Sequence, residues 1–128
     1  MEVRIYYEDT DAGGVVYHAN YLRYFERART EFMRERGLSV LELHERGSIF
    51  PVVRVEMDFR APARHDDLLR VETEVLDVGK SSFVLGQQVV RAADGKLLVA
   101  ARVTLACVGP EMKAKRLPPE LLQVLNEG

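Results

Sequence analysis

The feature that most constrains this chain is a change of hydrophobic period near residue 50. Across residues 20–36, apolar side chains recur every three to four positions, at Tyr21, Leu22, Phe25, Ala28, Phe32 and Met33. Arg23, Arg27, Thr30, Glu31 and Arg34 fill the other face. That is an amphipathic helix, about 25 Å long at 1.5 Å per residue. From Pro51 the period becomes two. Val53, Val55, Met57 and Phe59 alternate with Arg54, Glu56, Asp58 and Arg60. Leu69, Val71, Thr73 and Val75 alternate with Arg70, Glu72 and Glu74. Alternation places one set of side chains on one face of a strand. Residues 83–91 and 97–108 read as two further strands, joined at the Asp94-Gly95 turn signal. The β-branched and aromatic residues 3–7 read as a first strand.

The ends of these elements carry their own signals. Asn20 is expected to cap the long helix, because its side chain can accept a free N–H of the first turn. Arg34 and Arg36 suit the negative C-terminal end, and Gly37 can take the left-handed stop. A second, short helix is expected over 39–46 and a last helical turn over 118–125. The 128 residues show no repeat or linker, and that length predicts one domain spanning 1–128. Its class is α+β, with one long helix against about five mostly antiparallel strands. The helix is the only large cover for the sheet and is too small to cover all of it. Residual apolar surface or an open edge then favours self-association.

Composition removes several classes of function. Lys and Arg number 18 against 20 Asp and Glu, so no global charge draws the chain to nucleic acid. One cysteine, Cys107, cannot form an internal disulfide and reads as a small buried hydrophobe. His18, His44 and His65 lie too far apart for zinc-ligand spacing, so no metal is expected. No apolar run approaches the roughly 18 residues of a membrane span, and the charged N-terminus lacks a signal-peptide core. A soluble, cytoplasmic protein is expected. Gly79-Lys80-Ser81 resembles the end of a phosphate-binding loop, but the required first glycine is Glu74 and strands flank the segment. No nucleophile elbow or dinucleotide fingerprint is present.

The chemistry concentrates in residues 6–29, YYEDTDAGGVVYHANYLRYFERAR. Carboxylates stand in a glycine-rich loop just before a helix N-terminus, where backbone N–H groups are unpaired and partly positive. Gly13 and Gly14 let another group approach the backbone closely. Such N–H groups can polarise a carbonyl while a carboxylate attacks it or activates water. Singly, each residue also has a plainer role. Asp11 suits a turn, His18 a structural hydrogen bond, Tyr7 a strand core and Glu26 an ion pair with arginine.

The 16-residue block YYEDTDAGGVVYHANY, followed by an aromatic-Glu-Arg-Ala-Arg helix, resembles the hotdog-fold acyl-CoA thioesterases. It is similar to the branch related to 4-hydroxybenzoyl-CoA thioesterase, and most to its bacterial Tol-Pal-associated members. APARHDD at 61–67 and MKAKRLP at 112–118 extend the resemblance. It implies a hotdog fold, a long central helix wrapped by a curved five-stranded antiparallel sheet. It implies a homo-oligomer, a dimer with one continuous sheet paired into a tetramer, with active sites at the dimer interface. The substrate implied is acyl-CoA, hydrolysed without a cofactor. Asp11 falls on the family's catalytic carboxylate, as general base or nucleophile. His18 falls on the histidine at the helix start, its backbone N–H the donor to the thioester carbonyl. Tyr7 falls on the family's strand-end tyrosine and Gly14 on the glycine of the same loop. Coenzyme A phosphates are expected near Lys80, Ser81 and Ser82 between the middle strands, or near Arg60 and Arg64. The alternatives are a hotdog dehydratase of 3-hydroxyacyl thioesters and a non-catalytic acyl-CoA-binding protein.

Overall fold

A computed structural model describes residues 1–128. The elements run β1 (Glu2–Arg4), α1 (Asn20–Glu35), α2 (Val40–Glu45), β2 (Val52–Phe59), β3 (Leu68–Val78), β4 (Ser82–Arg91), β5 (Leu97–Ala106) and α3 (Pro119–Glu127). The five strands form one antiparallel sheet in the order β1-β3-β4-β5-β2. The α+β arrangement of one long helix and five antiparallel strands is therefore present.

Strand parity follows the sequence. Leu69 and Val71 are buried while Arg70, Glu72 and Glu74 face outward. Register then carries the inward face across the sheet, in rows such as Val71-Val89-Val99-Phe59 and Thr73-Gln87-Ala101-Met57. Helix α1 lies on this face. Tyr21, Phe25 and Ala28 pack against Leu69, Val89, Leu98 and Val99, and Phe32 and Met33 sit in a second cluster with Phe83, Leu85, Val103 and Leu105. Phe25 is wholly buried, which at roughly 25 cal/mol per Å² stabilises by about 2–3 kcal/mol.

Strand β2 departs from expectation. Its parity is correct, but its apolar face is uncovered: Val55 is 38% and Phe59 55% exposed. A bulge between Val52 and Arg54 breaks the alternation at Val53, which is 61% exposed. β2 is an edge strand, and α1 reaches it only in part, with Met57 packed against the core and Tyr21 beside Phe59.

Three local expectations are corrected. β1 stops at Arg4, because the chain turns into a single 3₁₀ turn at Tyr7–Asp9, closed by the Asp9 carboxylate accepting from the Tyr6 N–H at 2.8 Å. Tyr7 is therefore 79% exposed and no part of a strand core. Asn20 is the first residue of α1, not its cap. The cap position is Ala19, already helical, and the Asn20 side chain instead donates to the Asp9 carbonyl at 2.9 Å. On α1, Tyr24 is buried and Leu22 is 46% exposed, the reverse of the helical stripe expected. The stop at Gly37 is as expected, with φ of +80°. The Ser39 side chain caps α2 by accepting from the Glu42 N–H.

Candidate active site

The loop between the 3₁₀ turn and α1 is a small, tightly bonded hairpin. Thr10 bridges Val16, and the Asp11 N–H donates to the Val15 carbonyl at 2.9 Å. The Gly14 N–H returns to the Asp11 carbonyl at 3.0 Å, which needs the left-handed φ of +77° that Gly14 adopts. Inside the turn, the Asp11 carboxylate accepts from the Gly13 N–H at 2.8 Å. That bond fixes one carboxylate oxygen and leaves the other to solvent or substrate. Val15 bridges Arg64, and the Val16 N–H donates to the Ala63 carbonyl, so the hairpin is anchored to the segment before β3.

The chain then enters α1 through a 3₁₀-like turn. The Asn20 N–H donates to Tyr17, Tyr21 to His18 and Leu22 to Ala19. The backbone N–H groups of His18 and Ala19 donate to no acceptor in the chain. They are free donors at the positive end of a 16-residue helix. The His18 ring stacks obliquely on Tyr17 at 4.6 Å between centroids and meets the edge of Phe59 at 6.5 Å. Phe59 also lies 5.9 Å from the Tyr21 ring. Tyr7 stands 6.1 Å from His65. A carboxylate held by one N–H, free backbone donors and an aromatic flank thus share one end of the fold.

Comparison with known proteins decides the kinship. The family model described as the thioesterase-like superfamily matches residues 6–125. The chain belongs to the thioesterase-like superfamily. An acyl-CoA thioester hydrolase named YbgC from Escherichia coli O6:H1 is 44% identical over 121 residues, 94% of this chain and 90% of that protein. The acyl-CoA thioesterase YbgC of Haemophilus influenzae is 45% identical over 121 residues, 93% of this chain and 88% of its own. Among solved structures, a 1,4-dihydroxy-2-naphthoyl-CoA thioesterase from Synechocystis superposes with a TM-score of 0.92 at 26% identity, covering 99% of this chain and 94% of its own. The α+β fold described above is the hotdog fold.

Within this superfamily member the expected site residues divide into two groups. Asp11, Gly14, His18, Arg60 and Arg64 lie at one end of the sheet: Arg60 follows Phe59 directly, and Arg64 bridges the Asp11 hairpin at Val15. Lys80, Ser81 and Ser82 lie at the other end, across the 11 residues of β3, about 33 Å at 3.3 Å per residue. There the Lys80 carbonyl accepts from Leu117 and the Ser81 carbonyl from Cys107, so this turn is tied to the C-terminal segment. One chain does not bring the two groups onto one small ligand. Glu26 lies on the β2 side of α1 with Arg29, lining an apolar cavity of about 130 Å³ floored by Phe50, Phe83 and Leu85. The Arg29 guanidinium donates to Gln87, and burial lowers its pKa against the opposing pull of Glu26. Phe59 and His65 were not among the expected residues. Phe59 was legible only as an apolar strand position, and the turn that carries His65 held no signal for Tyr7.

Proposed function

We propose that the protein hydrolyses acyl-CoA thioesters to a free acid and coenzyme A. One observation carries this: the unpartnered His18 N–H at the head of α1, on the same short loop as the Asp11 carboxylate. The thioester carbonyl would accept from the His18 N–H as negative charge develops on its oxygen. One such donor is worth roughly 3 kcal/mol in a transition state. Asp11 would take a proton from water as the water oxygen attacks the carbonyl carbon, or attack that carbon itself to form an anhydride that water then opens. On the general-base route the C–S bond breaks with its electron pair on sulfur, and the proton held by Asp11 passes to the thiolate. A thiolate leaves readily, so no strong general acid is required. The His18 ring and Tyr7 would line the approach, and Arg60 and Arg64 would meet phosphates.

The relatives' names support acyl-CoA as the substrate, and the uncovered β2 supports the assembly. Two copies pairing antiparallel along β2 would continue the sheet and cover Val52, Val55 and Phe59. Because α1 runs opposite to β2, such pairing sets the Asp11 loop of one copy near the apolar cavity of the other, a place for the acyl group. Two such dimers would form the tetramer, in the cytoplasm. No helix is long and apolar enough to cross a membrane.

The test is Asp11→Asn, assayed by thiol release over a panel of acyl-CoAs. Turnover should fall at least a hundredfold with the fold and oligomeric mass unchanged. Wild-type turnover by the purified variant would show that Asp11 plays no part in the chemistry.

A further inference from the structure

On the flank of α1 away from β2 lies a second, polar cleft of about 370 Å³, between β1 and the first turns of the helix. Arg4 from β1 and Arg23 and Arg27 from successive turns of α1 line it, together with Tyr24, Glu8 and Asp9. None of the three arginines has a carboxylate oxygen within 4 Å, although the chain's ion pairs engage six other basic residues. Arg4 spends one N–H on the Asp66 carbonyl at 2.8 Å, and Arg23 and Arg27 make no side-chain hydrogen bond. Arg23, in the first turn of α1, is electrostatically ill placed. The N-terminal end of a helix carries partial positive charge, and the first turn of α1 holds no acidic residue to offset it.

A second observation points the same way. Tyr24 is 3% exposed, and its hydroxyl is the one buried side-chain polar atom without a hydrogen-bond partner. A buried, unpartnered hydroxyl costs about 1–3 kcal/mol unless something completes it. Burial and the neighbouring Asp9 carboxylate, one oxygen of which holds the Tyr6 N–H, push the Tyr24 hydroxyl pKa up, so it stays protonated.

We propose that this cleft binds a phosphoryl anion, a pyrophosphate or phosphate ester, through Arg4, Arg23 and Arg27 with the Tyr24 hydroxyl as a neutral donor. Guanidinium forks match phosphoryl oxygens in pairs. Three cations outweigh the two carboxylates, and Glu8 is exposed and free to turn away. The site is separate from Asp11 and does not depend on the thioesterase chemistry. Its wall is continuous with the Asp11 loop, because the Asp9 carbonyl accepts from both the Tyr17 N–H and the Asn20 side chain.

The same chemistry could be offered by free inorganic pyrophosphate or by the phosphates of coenzyme A. Titration calorimetry of the full chain, at fixed ionic strength, would use sodium pyrophosphate, coenzyme A and dephospho-coenzyme A. Pyrophosphate should bind. The Arg23→Gln/Arg27→Gln double variant should lose at least tenfold in affinity, and Tyr24→Phe about threefold without a lower Tm. The outward-facing Arg102→Gln control should bind as wild type. If the double variant also weakens both coenzyme A ligands, the site takes the nucleotide's pyrophosphate. Loss of pyrophosphate and of full coenzyme A but not of dephospho-coenzyme A marks the 3′-phosphate, and loss confined to pyrophosphate marks a site for the free ion. Pyrophosphate that fails to bind at millimolar concentration, or binds the folded double variant as tightly as wild type, overturns the proposal.

Discussion

Adjacent glycines in the Asp11 loop separate the proposed chemistry from stability. At Gly13 the backbone is one that any residue adopts, but an added Cβ would stand 3.2 Å from the Asp11 carboxylate oxygen. Ordinary contact begins a few tenths of an ångström farther out, so the carboxylate must swing away from the Gly13 N–H it now accepts at 2.8 Å. At Gly14 an added Cβ meets nothing within 4 Å, but φ is +77°. A side chain there costs about 1–2 kcal/mol. Gly13→Ala should therefore leave stability within about 0.5 kcal/mol and lower kcat. A misplacement of 1 Å costs roughly a hundredfold, so a few tenths should cost about three- to tenfold. Gly14→Ala should do the opposite. Its Tm should fall by several degrees, about 3–5 °C per kcal/mol for a domain this size, while the folded enzyme keeps its kcat. Thermal melts followed by circular dichroism and thiol-release kinetics on the same preparations make the comparison. If Gly13→Ala turns over acyl-CoA at the wild-type rate, the position of the Asp11 carboxylate is not part of the mechanism.

Three further outcomes are expected. Val55→Lys, on the half-exposed apolar face of β2, should shift the protein to the 14.5 kDa monomer in light scattering, and an unchanged mass would place the interface elsewhere. Gln87 is 1% exposed, donates to the Phe25 carbonyl at 3.0 Å and to Thr73 at 3.1 Å, and accepts from Arg29. Gln87→Leu strands all three partners and should cost about 2–3 kcal/mol in urea melts. Cys107 is wholly buried and burial pushes its thiol pKa up, so the folded protein keeps this proton where the unfolded chain releases it. That contribution is intact below the ordinary thiol pKa and is lost as pH rises toward the folded value; Cys107→Ala should flatten this alkaline limb, and thiol reagents should label the native protein no faster than it unfolds.

Periodicity carried the parts of the fold that depend on one chain segment at a time. The parity of β3 and the length of α1 were legible because each follows from its own side chains. Where a neighbour intervenes, the same logic failed. Asn20 has the chemistry of a cap, but its amide donates to the Asp9 carbonyl, and Tyr17 to Asn20 already turn like a helix. Residues 3–7 have strand propensity, but the Asp9 carboxylate takes the Tyr6 N–H and turns the chain out of the sheet. The candidate site was half legible. Carboxylate, glycines and helix start are adjacent in sequence, so their proximity needed no tertiary information. Phe59 and Arg64 join them only through strand register, and Lys80 to Ser82 are separated from them by the length of β3, neither of which a local pattern encodes.

The uncovered β2 follows from dimensions alone. A helix with its side chains is about 10–12 Å across, and strands are spaced about 4.8 Å, so the outer strands of a five-stranded sheet stand about 19 Å apart. One helix covers two or three strands. In this chain α1 lies over β3, β4 and β5, β1 is only three residues long, and β2 is the strand left largely uncovered, with Val55 and Phe59 38% and 55% exposed. No rearrangement of a 16-residue helix removes that deficit; only a second surface does. The same strand ends in Phe59 against the His18 ring, so whatever covers β2 also closes the flank of the Asp11 loop. In the proposed mechanism, exclusion of water from that loop would strengthen the donors to the thioester oxygen and would be coupled to association. A monomeric variant should keep its fold and its Asp11 hairpin and still lose turnover.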